Sequence, residues 1–309
     1  MRRVLPSASI RAHRPMPFAL ALALVACRAS EPSAPDAHGF TLTVPPDLAA
    51  AEAAWKEDPT DEQAIIWYGR RTAYEGRYEE AVAIYGEGLR THPASARLLR
   101  HRGHRNISLR RFGDARADLE RAAALLAGTP DEIELDGQPN AYGIPRSTLH
   151  TNVWYHLGLA HHFLGEDASA AEAFARCLAI APNDDMRVAA AWWRALALVH
   201  LGRIDEARAL ARVFAERELE LMESHDYGAL LALLAGTSDD AVERLGTADG
   251  AVAHATLGYG VAMAHLASGR TDEARRALEA LTAGPSSAAF GRIAAEVELA
   301  RLADQDDGS

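Results

Sequence analysis

Between residues 47 and 303 the apolar positions fall into short amphipathic segments with helical spacing, separated by glycine-centred turns. Such a segment has one oily side that it cannot bury alone, so the pattern predicts helices that pair and stack. Three turns share one motif: Gly76-Arg-Tyr-Glu-Glu-Ala, Gly202-Arg-Ile-Asp-Glu-Ala and Gly269-Arg-Thr-Asp-Glu-Ala. Glycine closes a tight turn. The acidic pair falls in the first turn of the next helix, where the helix dipole favours negative charge. The small alanine lets the two helices of a hairpin approach closely. Counterparts of that alanine stand at 81, 115, 170, 207, 241 and 274, with gaps of 34, 55, 37, 34 and 33 residues. The long gap exceeds one 34-residue period by 21 and predicts an insertion, read at 128–147 as GTPDEIELDGQPNAYGIPRS. Helices over 47–57 and 287–303 are expected to cap the two ends of the stack, leaving 304–309 as a disordered tail.

One segment carries Trp154, Leu157, Gly158, Ala170, Phe174 and Pro182, with His161 where a tyrosine would be expected. A second carries Gly69, Ala81, Tyr85 and Pro93, and a third Gly103, Phe112, Ala115 and Leu119. These residues resemble the tetratricopeptide (TPR) family, whose repeat is a 34-residue pair of antiparallel helices. The resemblance covers roughly 47–303 and implies an all-α fold, a TPR α-solenoid wound as a right-handed superhelix of about six repeats. The repeats are placed at 62–95, 96–129, 151–184, 188–221, 222–254 and 255–285.

The amino-terminal 46 residues read differently. Residues 1–14 hold Arg2, Arg3, Arg11 and Arg14 and no acid, and an apolar run follows over 18–26. That run is too short to span a bilayer, which takes about 20 residues. A basic start with a short apolar stretch is the pattern of a secretory signal. It ends in Leu24-Val25-Ala26-Cys27, which resembles the lipobox of bacterial lipoproteins. The resemblance implies cleavage after residue 26, acylation of Cys27 and stable membrane anchoring. Arg28, where aspartate would favour the inner membrane, implies the outer membrane facing the periplasm. Residues 27–46 contain four prolines and read as a flexible tether.

TPR stacks bind on the concave face formed by the first helix of each repeat. Carrying that register over places Arg70, Arg97, Arg100, His101, His104, Asn152, Tyr155, His156, Trp192 and Tyr227 on the groove. The resemblance implies a protein or peptide partner, and the arginines point to an acidic or C-terminal segment, because guanidinium groups make bidentate bonds to carboxylates. Arg70, Arg100, His101 and Asn152 resemble the clamp with which some TPR proteins hold a terminal carboxylate. A different reading makes the arginines a solvated helix face paired with neighbouring acids. A further alternative is a small-ligand or hydrolytic site near 128–147, built from His156, Asp185, His225 and Tyr227.

Charge narrows the partner. The chain has 32 basic and 43 acidic residues; removing 1–26 with its four arginines leaves 28 against 43, a formal charge of −15. So acidic a domain is a poor generic binder of nucleic acid. Its 13 histidines include no HExxH and its two cysteines no CxxC, so no metal or cofactor is expected. Cys177, at a small-residue position, is expected to be a buried thiol, and no nucleophile elbow, phosphate loop or carboxylate dyad marks an enzyme. The expected role is that of an envelope lipoprotein acting as a non-catalytic interaction scaffold or adaptor.

Overall fold

The computed structural model describes residues 46–284 and 287–307. The signal segment, Cys27 and the tether up to residue 45 lie outside the described residues. A lead helix, α1 (Leu48–Glu57), precedes two hairpins, α2 (Glu62–Tyr74) with α3 (Tyr78–Thr91) and α4 (Ala96–Ser108) with α5 (Phe112–Leu126). The insertion contributes two short strands, β1 (Ile133–Glu134) and β2 (Ser147–Thr148). Four more hairpins follow: α6 (Leu149–Phe163) with α7 (Asp167–Ile180), α8 (Asp184–His200) with α9 (Ile204–Ala215), α10 (His225–Ala235) with α11 (Asp240–Thr247), and α12 (Ala251–Ala267) with α13 (Thr271–Ala283). The chain closes with α14 (Phe290–Asp307). None of the described helices is long and apolar enough to cross a membrane.

Local chemistry sets these boundaries. Asp47, Asp61, Ser95, Thr148 and Asn183 each start a helix by accepting a hydrogen bond from the backbone N–H three residues on, which satisfies an otherwise orphaned donor. Second helices of the hairpins start instead from the glycine turn, with Gly76, Gly202 and Gly269 at φ +77°, +72° and +73°. All six second-helix alanines are completely buried. The motif glycine of the first helix is needed for the same close approach. A Cβ at Gly158 would sit 2.6 Å from the Phe174 ring, and one at Gly69 only 2.4 Å from Tyr85.

The second hairpin breaks the turn pattern. The left-handed position falls on Arg110, at φ +60°, where a non-glycine residue costs about 1 kcal/mol or more. Its side chain accounts for the exception: Nε and Nη2 both donate to Glu296 at 3.0 Å, and Nη2 also reaches the Ser287 carbonyl at 3.0 Å. Arg110 thereby ties the second hairpin to α14, 186 residues along the chain.

Successive first helices touch one another, α2 with α4, α4 with α6, α6 with α8, α8 with α10 and α10 with α12. Second helices contact the first helix of the next hairpin instead, as α3 does α4 and α5 does α6. The first helices are therefore the tighter, inner layer of the curved stack, and their free sides form its concave wall.

The structure revises two expectations about the ends. Helix α14 packs on α12 and α13 as an end cap would, but it also runs back across the inner wall. Phe290 stacks near His104, Tyr155 and His156, Glu298 meets His200 at 3.1 Å, and Arg301 donates to the His162 carbonyl. It also continues past Ala303 through Asp307, with Asp306 paired to Arg275 at 2.6 Å, so 304–307 are helix rather than a disordered tail. Buried Ile293, Ala294, Ala295 and Leu302 give this helix an apolar side, which it hides from water against the stack.

Candidate functional site

The insertion lies on the concave wall as a strap. Strands β1 and β2 pair antiparallel, Ile133 opposite Thr148 and Glu134 opposite Ser147. The acidic run that enters β1 meets the arginines of the first two hairpins. Arg70 donates through Nη1 to the Leu135 carbonyl at 2.9 Å, and Arg100 Nη2 pairs with Glu134 at 2.9 Å. His101 Nε2 stands 3.6 Å from the same carboxylate. Arg97 Nε is 3.6 Å from Glu132 and its Nη1 3.2 Å from Glu62 of α2. The strap's other end is fixed by Arg146 to Glu223 at 2.7 Å, and by Asn183 and Asn152, which donate to the Arg146 carbonyl and Ser147 Oγ at 2.8 Å each.

Polar contacts rather than apolar burial hold this strap. Ile133, Leu135 and Tyr142 are 46%, 39% and 64% exposed, and Gly137 is the only buried residue of 128–147. A Cβ at Gly137 would meet the Tyr74 hydroxyl at 1.9 Å and the Arg70 guanidinium at 2.8 Å, so any side chain there would have to displace those two tips.

Behind the strap a cavity of about 370 Å³ opens toward the third to fifth repeats. Arg70, Arg100, His104, Asn152, Tyr155, His156 and Tyr227 line it, so seven of the ten groove candidates converge on one space. Arg97 and His101 lie under the strap beside it. His101 is 5% exposed and stacks on Tyr85, so it is packed into the wall rather than presented from it. Trp192 is corrected outright: it is 1% exposed, a core residue. Its counterpart 37 residues earlier, Tyr155, lines the cavity, so the repeat register alone does not decide which of these positions is exposed.

Burial sets the protonation of the wall. Desolvation lowers the His101, His104 and His156 imidazoles well below the ordinary histidine range, and the neighbouring arginines add to it, so all three are neutral near pH 7. His156 Nδ1 must then carry the proton it donates to the Asn152 carbonyl at 2.6 Å. The His104 ring lies against His156 with 4.3 Å between ring centroids. Tyr155 and Tyr227 hydroxyls stand 3.4 Å apart.

The acid–base quartet does not assemble. Asp185 accepts from the backbone amides of Met222, Glu223 and Ser224 at 3.0, 2.8 and 2.7 Å. Those bonds hold its carboxylate below the usual range despite burial, and make it the anchor of the 216–224 loop. His225, the first residue of α10, is exposed and lines no part of the cavity. Among the described residues no three His, Cys, Asp or Glu side chains converge with metal-site geometry. Cys177 is fully buried, its thiol pushed up to about 12, which makes it unreactive.

Comparison with known proteins adds the following. A family model for the tetratricopeptide repeat matches residues 151–184. No curated protein matches the chain. Among solved structures, a TPR protein from Parabacteroides merdae is 17% identical over 81% of this chain and 90% of its own, with a TM-score of 0.49. YrrB, described as a TPR protein with an unusual peptide-binding site, is 16% identical over 84% of this chain and 99% of its own, with a TM-score of 0.44. MamA is 21% identical over 53% of this chain and 81% of its own, with a TM-score of 0.41. Sequence match and helix geometry together establish that residues 151–184 are a tetratricopeptide repeat and that the chain folds as an all-α TPR solenoid.

Proposed function

We propose that this chain is a protein-interaction scaffold whose concave arginine wall recognises an extended acidic segment of a partner. The observation that carries the reading is the strap itself. Arg70, Arg97 and Arg100 already hold an acidic stretch, Glu132 to Leu135, by carboxylates and backbone carbonyl together. An acidic partner strand offers the same groups, and a strap fastened by charge is one that a competitor can displace. YrrB is described as having a peptide-binding site, which agrees with the reading without testing it.

A labelled peptide of the strap sequence over 129–138, titrated at low salt, tests the proposal. Glu132→Gln with Glu134→Gln should loosen the strap and strengthen binding roughly tenfold or more, since a hydrogen bond to a charged group contributes about 1.5–3 kcal/mol. Arg70→Ala with Arg97→Ala should abolish it, and salt should weaken it. If neither the wild type nor the glutamine variant binds, or the arginine variant binds as well as wild type, the proposal fails.

The second part of the reading is location. The basic start, the apolar run over 18–26 and Cys27 support a lipoprotein anchored in the bacterial envelope, facing the periplasm from the outer membrane. Cells fed radiolabelled palmitate should label the protein, and Cys27→Ala should remove the label; equal labelling of both removes the anchor from the reading.

A further inference from the structure

The two strands of the strap are anchored differently. Strand β2 runs straight into α6, and Thr148 and Thr151 close a capping box at that helix start. Asn183 and Asn152 hold the Arg146 carbonyl and Ser147 Oγ beside it. Strand β1 is held instead by pairing with β2 and by the charged groups of the wall. Its side chains alternate: Glu134 faces Arg100, while Ile133 and Leu135 are exposed.

What β1 supplies to its surroundings is specific by position. A helix start leaves four backbone N–H groups without partners inside the helix. In α6 the capping box satisfies those of Thr148 and Thr151. The strap satisfies the other two: Leu149 N–H donates to the Glu132 carbonyl at 2.9 Å, and His150 N–H to Asp131 Oδ1 at 3.1 Å. Glu134 meets two donors. Arg100 Nη2 holds its carboxylate at 2.9 Å. Arg100 Nη1 also donates to His101 Nδ1 at 3.0 Å, so the neutral His101 ring carries its proton on Nε2, which faces Glu134 at 3.6 Å. The Glu134 and Arg100 side chains are 12% and 9% exposed, so an uncharged residue at 134 would leave a buried arginine without its counter-charge. Glu132 is 58% exposed and 3.6 Å from Arg97, a pair of little weight. Arg70 Nη1 holds the Leu135 carbonyl, and a side chain at Gly137 would push on that same guanidinium.

We infer that the partner binds by strand exchange: its segment displaces β1, pairs antiparallel with β2, and carries an acid, a second acid three residues on and a glycine three further, in the places of Asp131, Glu134 and Gly137. This rests on the interaction reading above and names the sequence that the reading leaves open. Strand addition takes affinity from main-chain hydrogen bonds and specificity from the side chains that point into the wall. The partner residues in the places of Ile133 and Leu135 point outward, so their side chains are not read.

The test varies the peptide and keeps the protein constant, so folding does not enter the comparison. The strap peptide 129–138 and its variants are titrated by fluorescence anisotropy at low salt into the chain carrying Glu132→Gln and Glu134→Gln. In the peptide, Glu134→Gln should weaken binding roughly tenfold or more, and Glu132→Gln by less than about threefold. Asp131→Asn and Gly137→Val should each weaken it about threefold or more, by losing a charge-assisted bond to the helix start and by displacing Arg70. The same ten residues in reverse order, with the charge unchanged, should bind roughly tenfold more weakly, because strand pairing fixes direction and register. In the complex, nuclear Overhauser contacts should join the peptide's Glu134 to Ser147 of the chain. A reversed peptide that binds as tightly as the native one, or equal losses at 132 and 134, would overturn strand exchange and leave recognition of an acidic segment by charge alone. Binding by none of the peptides would overturn both.

Discussion

Replacing Trp193 by alanine is expected to lower the unfolding free energy by about 3–5 kcal/mol, the usual cost of emptying a large aromatic site in a core. Trp193 is 1% exposed. It stacks on Phe174 at 6.4 Å and on Tyr259 at 5.8 Å, and meets Phe163 and His162 edge-on at 6.1 and 5.7 Å. Those partners belong to α7, α12 and α6, so one side chain joins the third, fourth and sixth hairpins. In a regular solenoid each repeat contacts only its neighbours. Here the inner wall is bridged through the middle, and the variant should loosen three hairpins together. Urea titration followed by far-ultraviolet circular dichroism checks it. Trp154→Ala is the matched control, because Trp154 is half-buried on the outer side with Arg176 over its ring at 4.8 Å. A loss below about 1 kcal/mol at Trp193, or an equal loss at Trp154, would contradict this account of the core.

Acid should destabilise the protein well before its carboxylates protonate. His101 and His156 are 5% and 4% exposed, and burial holds both imidazoles well below the histidine range. Unfolding returns them to about 6.5, so below that pH the unfolded chain binds protons that the native chain does not. Stability is therefore full above about pH 6.5 and falls as pH drops toward the depressed native values. Two such groups give a slope of up to about 2.7 kcal/mol per pH unit. Asp185 acts in the same direction at lower pH, since its native carboxylate is held below the ordinary range. Urea midpoints at pH 7.5, 6.5 and 5.5 measure the slope, and His156→Gln should flatten it. A constant midpoint across that interval would show these imidazoles to be solvated rather than buried.

The helices and their pairing were decided within the sequence, because each depends on residues a few positions apart. The Gly-Arg-x-acid-Glu-Ala turns, the completely buried alanines at 81, 115, 170, 207, 241 and 274, and the caps at Asp47 and Asn183 all act within one hairpin. Local sequence therefore carries the repeat, its period and the position of the insertion. Gathering most of the candidate arginines, histidines and tyrosines at one place follows from the same period, since it returns corresponding first-helix positions to one wall. What fills that wall was settled only in three dimensions. Leu135 against Arg70, Glu134 against Arg100, and α14 against Arg110 and His162 are contacts between residues 34 to 186 positions apart with no periodic signature. Trp192 is core for the same reason, because neighbouring elements cover a position that its counterpart Tyr155 presents to the cavity. Short-range chemistry chose the elements; the burial of leftover apolar and charged faces against distant ones chose the site.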